Sequence, residues 1–396
     1  MKKNIIAALF ALLGLLPFAN GQGAPAGAGA ARGRILVTLS GGQSWSGLVS
    51  IPYADFAQRF GVGAAFHVVD DKGRAVSHQL ERLGMEAPQN VLLQVQLNQR
   101  RKLELLVFAG EKAPLPPKTF ARYVPERFDD FAWENDRVAF RLYGEALEGK
   151  PGDAQGMDFW AKRTDQLIID KWYKNGDYHR DHGDGLDYYS VGQTLGAGDV
   201  ALYFGDEVHY TRHYRQYEVL DNGPLRTTFR LTYPPEVING QRIGLRKTIS
   251  LDAGSHFNKI TLEVENRSAR ETPIVIGVAK RSVAEVADVE FLWEGDHTLP
   301  WETFSYWEPE IADHGRTGVA LILPQGTTTF VPDEAKQFLF RAVVRNGEPY
   351  TYYNGAAWNK AGAVTNLPKW YGVVREKADS LRATPEVTLE GSSPRR

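Results

Sequence analysis

Apolar and polar residues alternate along most of this 396-residue chain. In KITLEVEN, single polar residues separate Ile260, Leu262 and Val264, which is the pattern of a strand with one buried face. Short runs of the same character recur through the sequence. They are RILVTLS, VLLQVQL, KLELLVF, VAFRLYG, QLIIDKWY, LRTTFRLTY, LRKTISL, TPIVIGVA, TGVALILP and KQFLFRAVV. The pattern predicts an all-β protein.

The spacing of these runs also predicts how the chain is organised. FHVVDDKGRAVSHQL predicts a hairpin with Asp70-Asp71-Lys72-Gly73 at its turn. Helices are predicted only for the short stretches ADFAQRF and WYGVVREKADSLRAT. The proline-rich EKAPLPPK interrupts the strand pattern. We therefore predict a small N-terminal β unit over residues 34–112 and a large antiparallel β-sandwich, the catalytic domain, over residues 120–396.

The first residues have the features of a secretory signal peptide. Two lysines precede a short apolar run, and Ala19 and Gly21 suit cleavage at the end of residues 1–21. The Gly- and Ala-rich segment 22–33 predicts a flexible linker. We therefore expect a periplasmic or secreted protein. No apolar run is long enough for a comfortable membrane span, so none is predicted.

Composition narrows the possible functions. The chain has no cysteine, so its stability cannot depend on disulfides. A net charge of −2 gives no indication of a nucleic-acid partner. Aromatic residues make up 11% of the chain, including nine tryptophans. An exported protein rich in Trp and Tyr fits a sugar-handling role, because aromatic faces stack on the C–H faces of sugar rings; packing in the core is the alternative.

The segment NGDYHRDHGDGLDYYSVG, residues 175–192, concentrates titratable side chains between glycines. His179 and His182 would share one face if the segment formed a helical turn, and a histidine can act as a base near neutral pH. Tyr189 is a candidate acid. Cations that could bind a substrate carboxylate flank the histidines: Lys171, Arg163 and Arg180. The segment is therefore predicted to be a catalytic loop, with a solvated loop held by Asp–backbone turns as the alternative.

A divalent metal is a competing interpretation of the same segment. Asp181, Asp184 and Asp187 are spaced by three residues and could supply hard oxygen ligands to calcium. The two histidines with one aspartate could instead hold zinc. Neither spacing matches a recognised metal-binding loop, so no cofactor is assigned.

Other segments also contain candidate site residues. Glu134 lies beside Trp133 in DDFAWENDR and is a candidate acid or base, or else a carboxylate that stabilises a turn. The late segments WETFSYWEPE and YTYYNGAAWNKAG are dense in rings. Together with Trp133, candidates for a sugar-stacking wall are Trp172, Tyr306, Trp307 and Trp358, although packing on the sandwich is equally compatible with them. G-x-S-x-G, P-loop, H-E-x-x-H and dinucleotide motifs are absent from the sequence.

Several of these segments resemble a known bacterial family. PERFDDFAWENDRVAFRLYG, MDFWAKRTDQLIIDKWY, YHRDHGDGLDYYSVG and the later NGPLRTTFRLTY and ISLDAGSHFNKITLEVEN are similar to domain-of-unknown-function family 4861. The resemblance spans about residues 120–375. It implies a galactose-mutarotase-like β-supersandwich and an association with polysaccharide degradation. A relative in the family resembles an oligosaccharide dehydratase that acts on uronic-acid-ended ulvan fragments.

These observations predict a carbon–oxygen lyase acting on uronic-acid-containing glycans. The carboxylate of a uronic acid makes the C5 proton of that sugar acidic, and loss of the proton allows elimination at C4. A dehydratase expels a hydroxyl group, and a lyase expels another sugar. Two alternatives remain open. One is a glycoside hydrolase that pairs Glu134 with Asp181 or Asp187; the other is a non-catalytic sandwich that binds glycans through its aromatic wall.

Overall fold

The strand pattern of the sequence is present in a computed structural model, which describes residues 29–40, 44–97, 102–110, 115–281, 290–294, 301–332 and 334–392. The predicted signal peptide lies outside the described residues, as does most of the predicted linker. From Ala31 onward the described residues form one compact unit. No helix among the described residues has the length and apolar character needed to cross a bilayer.

The strands follow one another along the chain as follows. The first thirteen are β1 Gly33–Thr38, β2 Trp45–Pro52, β3 Phe66–Asp70, β4 Ala75–Val76, β5 His78–Glu81, β6 Asn90–Leu97, β7 Lys102–Ala109, β8 Thr119–Val124, β9 Asp130–Asn135, β10 Ala139–Leu142, β11 Asp158–Lys162, β12 Gly185–Leu186 and β13 Ala197–Phe204. The others among the described residues are β14 Glu207–His209, β15 Gln216–Asn222, β16 Arg226–Ile238, β17 Gln241–Asp252, β18 Phe257–Asn266, β19 Glu271–Ala279, β20 Glu290–Glu294, β21 Trp301–Trp307, β22 Thr317–Pro324, β23 Thr328–Val331, β24 Gln337–Arg345, β25 Tyr350–Trp358 and β26 Glu386–Gly391. The α-helices are α1 Tyr53–Phe60, α2 Ile169–Asn175 and α3 Leu367–Arg382.

The N-terminal strands form a small sandwich. One sheet has the order β26-β1-β7-β3-β4 and the other β2-β6-β5, and their apolar faces share a core into which α1 packs Phe56 and Phe60. The predicted hairpin turn is present, since the Gly73 amide donates to the Asp70 carbonyl at 2.9 Å. Only β4 pairs with β3 beyond that turn, because β5 crosses to the second sheet. β26 pairs antiparallel with β1, so a strand distant in sequence completes this unit.

The remaining strands form a large antiparallel sandwich, which confirms the predicted fold class. An eight-stranded sheet has the order β15-β16-β17-β18-β25-β22-β21-β20. It packs through a shared apolar core against the five-stranded sheets β14-β13-β19-β24-β23 and β12-β11-β10-β9-β8. The helices predicted from ADFAQRF and WYGVVREKADSLRAT are confirmed as α1 and α3.

The strand predicted for QLIIDKWY is wrong, because most of this run forms the helix α2. Ile169, Trp172 and Tyr173 have the i, i+3, i+4 spacing of one helix face, and all three are buried. The backbone N–H groups of Ile168 and Ile169, which lack helical partners at this end, donate to Glu134 Oε1 at 2.7 and 2.8 Å. The apolar run had suggested a strand, and the tertiary contact with Glu134 favours the helix instead.

The two faces of the β8–β12 sheet differ in composition, since one is apolar and the other carries charged residues. Phe131, Trp133, Phe140 and Phe159 point into the large core. The opposite face carries charged residues on neighbouring strands. Arg141 on β10 pairs with Asp158 on β11. On its other side Arg141 pairs with Ala132 on β9, two residues from Asp130. α2 and Tyr178 pack on this second face together with Trp160. Charged groups are thereby enclosed between a sheet and a short helix.

Candidate functional site

Residues 175–192 leave the end of α2 and run along the edge of the β8–β12 sheet. Asp181 Oδ1 accepts hydrogen bonds from the amides of Gly183 at 2.8 Å and Gly185 at 3.2 Å, so an Asp–backbone turn shapes the loop. Gly185 has a φ of 117°, and a Cβ atom there would lie 1.9 Å from the Ala161 carbonyl oxygen. Only glycine therefore allows the loop to return to the sheet as β12.

Three carboxylates surround the guanidinium group of Arg141 beneath this loop. Its Nε atom donates to Asp158 Oδ2 at 2.7 Å, and its Nη2 atom donates to Asp187 Oδ2 at 2.9 Å. The Nη1 atom lies 3.4 Å from Asp130 Oδ2 and 3.4 Å from the Tyr178 hydroxyl oxygen. The Arg141 side chain is 5% exposed, and none of the three carboxylates is more than 3% exposed. We call these four charged residues the Arg141 cluster.

One guanidinium group cannot neutralise three buried carboxylates. Burial raises the pKa of Asp130 to about 6, although the charge of Arg141 opposes that rise. Burial and the neighbouring Asp158 charge raise the pKa of Asp187 well above its ordinary value, again with Arg141 opposing. Asp130 Oδ1 has no hydrogen-bond partner among the described residues. The cluster therefore retains a proton well above the pH at which exposed aspartates have lost theirs.

The two loop histidines do not form a pair on a helical turn, because residues 176–184 contain turns and bends but no helix. The Nδ1 atom of His179 lies 2.9 Å from the Asp187 carbonyl oxygen, and its side chain is 64% exposed. The Nε2 atom of His182 instead lies 3.1 Å from the Asp177 carbonyl oxygen. Each imidazole is thus oriented by a different part of the loop. Only His179 contacts a member of the Arg141 cluster.

A second charged cluster forms where the loop meets the end of β21. The Nε atom of Arg281 donates to Glu308 Oε1 at 2.8 Å, and Glu308 is fully buried. The guanidinium carbon of Arg281 lies 4.3 Å from the ring centroid of Tyr189, and another N–H of this group donates to the Ser190 carbonyl. The backbone N–H of Arg281 donates to the Tyr306 hydroxyl at 3.3 Å. We call Arg281, Glu308 and Tyr189 the Arg281 cluster.

Each member of the Arg281 cluster has a buried polar atom without a hydrogen-bond partner among the described residues. Glu308 Oε2, Arg281 Nη2 and the Tyr189 hydroxyl have no hydrogen-bond partner among the described residues. Buried polar atoms are nearly always paired, and exceptions often mark functional sites. Burial raises the pKa of Glu308 to about 7, with Arg281 opposing. Burial, and next the charge of Glu308, raise the pKa of Tyr189 well above its ordinary value, so this phenol stays protonated.

Tyr188, the half-buried neighbour of Tyr189 in the chain, packs against segments that are distant in sequence. The Tyr188 hydroxyl lies 2.7 Å from Thr317 Oγ1, and the Tyr188 ring centroid lies 5.4 Å from that of His314. The Arg163 guanidinium carbon is 5.2 Å from the ring centroid of Trp358, whose Nε1 atom donates to the His314 carbonyl at 2.8 Å. The loop 175–192 and the segments WETFSYWEPE and YTYYNGAAWNKAG, distant in sequence, therefore meet here.

A model of the family described as "Domain of unknown function (DUF4861)" matches residues 46–387. The chain belongs to this family. The resemblance inferred from the sequence motifs is thereby confirmed, and the match also covers β3 to β7 of the small N-terminal sandwich.

Proteins similar to this DUF4861 chain include one curated relative and two solved structures. "Uncharacterized protein P7" from Formosa agariphila is 28% identical over 311 residues, which cover 74% of this chain and 75% of the relative. Two solved structures from Enterococcus faecalis have a TM-score of 0.47: a protein in glycosyl hydrolase family 38 (9% identical) and an alpha-mannosidase (10% identical). They match 90% and 91% of this chain, which spans about half of their length, 47% and 46%.

Glu134 does not have the surroundings of a reactive carboxylate in this DUF4861 member. It is fully buried, and its Oε2 atom accepts a hydrogen bond from Lys162 Nζ at 2.7 Å. Its other oxygen accepts the two amides at the start of α2. Burial raises the pKa of Glu134, while Lys162 opposes the rise. Because both oxygens are occupied, Glu134 anchors α2 rather than facing a cleft.

The predicted aromatic wall is not an exposed surface. Trp133 is fully buried on the inner face of its sheet, where its Nε1 atom donates to Asn258 Oδ1 at 2.8 Å. The other rings are also buried: Trp172 stacks on Trp160, Trp307 packs against α3, and Tyr306 and Trp358 lie in the large core. Their large apolar area favours burial over exposure to a sugar. Trp358 nevertheless contacts the loop, since its ring centroid lies 6.3 Å from that of Tyr188.

The aspartates proposed as metal ligands point to different partners. Asp181 pairs with Arg163, Asp184 with Lys171, and Asp187 with Arg141. No group of three or more His, Asp or Glu side chains among the described residues is arranged to hold a metal ion. Arg180 is exposed at the loop surface. Calcium or zinc coordination by these residues therefore has no support in the geometry, since each carboxylate already has a cationic neighbour.

The charged residues at the centre of both clusters were not selected from the sequence. Arg141 lies within the predicted strand VAFRLYG, Glu308 within WETFSYWEPE, and Arg281 two residues after the end of TPIVIGVA. A signal was present, because a charge inside or beside a continuous apolar run must be buried with a partner. The identity of that partner depends on strand neighbours, which periodicity does not reveal.

Proposed function

We propose that the chain is a carbohydrate-active carbon–oxygen lyase that acts on uronic-acid-containing glycans at the Arg281 cluster. One observation carries the proposal: a carboxylate and a phenol both contact one guanidinium group, and each of the three groups has a buried atom without a partner among the described residues. A ligand with a carboxylate and hydroxyl groups would supply those partners. The family resemblance noted in the sequence motifs favours the same substrate class.

The three side chains match the requirements of an elimination at C4. Glu308, ionised in part near neutral pH, is the proposed base for the C5 proton. Arg281 Nη2 is the proposed donor to the substrate carboxylate, which gains negative charge as the C5–H bond breaks. The electron pair from that bond forms the C4–C5 double bond, and the C4–O bond breaks. The departing oxygen takes a proton, for which the Tyr189 hydroxyl is the proposed donor.

The geometry gives less support to the alternatives. A hydrolase pairing Glu134 with Asp181 or Asp187 would need free carboxylates, but Glu134 is occupied by Lys162 and α2, and Asp187 by Arg141. A glycan-binding sandwich would need exposed rings, and the candidate rings are buried. His179 is the second candidate for the base, because its ring is exposed while Nδ1 is held by the Asp187 carbonyl.

The test is a screen of uronic-acid-ended oligosaccharides by absorbance near 235 nm and by mass spectrometry. Elimination should raise the absorbance; a dehydratase product loses the mass of water, whereas a lyase product is a shorter chain. Glu308→Gln should lower kcat by about 10²- to 10⁴-fold, the loss typical of a positioned acid or base. Glu310→Gln is the matched control, because Glu310 is exposed two residues further along.

Two results would overturn the proposal. One is the release of reducing ends from these substrates without any rise in absorbance, which indicates hydrolysis. The other is a Glu308→Gln variant that turns over substrate as fast as the Glu310→Gln control. Arg281→Lys keeps the charge but loses the forked donor geometry, so it should lower kcat, because Arg281 is proposed to stabilise the substrate carboxylate as that group gains negative charge.

A further inference from the structure

A cavity of about 210 Å³ lies where four parts of the fold meet, and neither charged cluster contributes a residue to its lining. β2 contributes Ser46, β6 contributes Gln94, the β17–β18 turn contributes His256, and α3 contributes Glu376 and Lys377. The cavity therefore joins the small N-terminal sandwich to the large one. Its lining shares no residue with the Arg281 cluster.

Lys377 is a half-buried cation that lines this cavity. Its ammonium group forms no hydrogen bond or ion pair with the described residues, and Nζ lies 5.3 Å from the ring centroid of Tyr353. The neighbouring carboxylate of Asp252 is taken by Arg226, through Nε to Oδ1 at 2.5 Å and Nη2 to Oδ2 at 2.9 Å. Burial lowers the pKa of Lys377, although Asp252 opposes this. The ammonium group of Lys377 is unpaired among the described residues and lines the cavity, so the cavity offers a place for an anion.

The rest of the lining suits the hydroxyl groups of a small ligand. The Nδ1 atom of His256 lies 3.1 Å from the Ala356 carbonyl oxygen and therefore carries the ring proton. Burial lowers the pKa of His256 to about 4, so the ring is neutral and its other nitrogen is an acceptor. The amide of Gln94 makes only long contacts, 3.4 Å to Lys118 and 3.4 Å to the Ala253 carbonyl. Ser46 adds an exposed hydroxyl.

We propose that this cavity binds a single acidic sugar residue, with its carboxylate on Lys377 and its hydroxyl groups toward Ser46, Gln94 and His256. The volume decides the size of the ligand, because cavities for drug-sized molecules measure roughly 300–1,000 Å³ and this one is smaller. The proposed site would bind a sugar residue at a place separate from the Arg281 cluster. This proposal does not depend on the reaction that the Arg281 cluster performs.

Isothermal titration of the full chain with D-glucuronate, D-glucose and inorganic phosphate tests the site. Glucuronate should bind at least about tenfold more tightly than glucose, because a hydrogen bond to a charged group is worth about that factor or more. The variants of this site are made in an Arg281→Met background, which removes the carboxylate donor of the proposed active site, and Lys377→Met should then abolish this preference. Lys369→Met is the matched control, since Lys369 is an exposed lysine on the same helix. Arg281→Met should keep the preference, which separates this site from the proposed active site.

Stability gives a second readout. Methionine replaces the unpaired ammonium group with an apolar end, so Lys377→Met should melt no lower than the Lys369→Met control. If Lys377→Met fails to fold, Ser46→Tyr takes its place, because it fills the cavity from an exposed strand position and should also abolish glucuronate binding. Equal binding of glucose and glucuronate, tighter binding of phosphate than of glucuronate, or a preference that survives both variants would overturn the proposal.

Discussion

Replacing Glu308 by glutamine should stabilise the protein at alkaline pH while removing the proposed base. In the folded chain, burial raises the pKa of Glu308 from its ordinary 4.5 to about 7, with Arg281 opposing. The folded state thus holds this proton more tightly than the unfolded state does. Stability from this group is fully present below about pH 4.5 and is lost as the pH rises through about 7.

The difference between 4.5 and about 7 corresponds to about 3 kcal/mol at 1.36 kcal/mol per pKa unit. Glutamine has the shape of the protonated carboxyl but does not ionise, so the variant escapes this loss. Its advantage over the native protein should therefore be about 2 to 3 kcal/mol larger near pH 9 than near pH 5. Taking the difference between two pH values cancels any constant effect of the substitution on packing.

Urea unfolding at both pH values measures this quantity, with tryptophan fluorescence and circular dichroism required to give coincident transitions. Glu310→Gln is the control, because an exposed carboxylate is solvated in both states and its loss should show no such pH dependence. A Glu308→Gln advantage that is the same near pH 5 and pH 9 would refute the reasoning. It would mean that Glu308 is already ionised at pH 5 and is not tuned for acid–base chemistry near neutrality.

Three other outcomes are expected. Arg141→Met should destabilise the fold by about 3–5 kcal/mol, because three buried carboxylates lose their cation, and the loss should grow from pH 5 to pH 8 as they ionise; a neutral effect in urea unfolding would contradict this. His179→Ala should lower kcat less than Glu308→Gln does, and His182→Ala should change it least; the reverse order would move the active site to the loop surface. EDTA should leave the melting curve unchanged, because the loop aspartates are paired with cationic side chains; a lower Tm would restore a metal site.

Much of the architecture was predictable from local pattern. Alternation such as that of Ile260, Leu262 and Val264 depends only on which face of a strand is buried, and neighbouring residues record it. The turn at Asp70–Gly73 likewise depends on a few adjacent residues. Family membership was also evident, because the motifs that carry it are contiguous in the chain. The predicted boundary between the two β units, at residues 112–120, remains a prediction. The pairing of β26 with β1 adds to the N-terminal unit a strand that is distant in sequence.

The arrangement of charge was decided by the tertiary structure. Arg141 meets Asp158 because their strands pair in one register, and a shift by one residue would turn these side chains to opposite faces. Arg281 follows the end of β19, and Glu308 follows the end of β21. Only the packing of these two strand ends brings the side chains together, buries Glu308 and raises the pKa of its carboxyl group. α2 became a helix because Glu134 accepts its first amides. Which charged side chains are buried, and which groups they pair with, depends on contacts between segments that are distant in sequence. The order of residues within one segment does not determine those contacts.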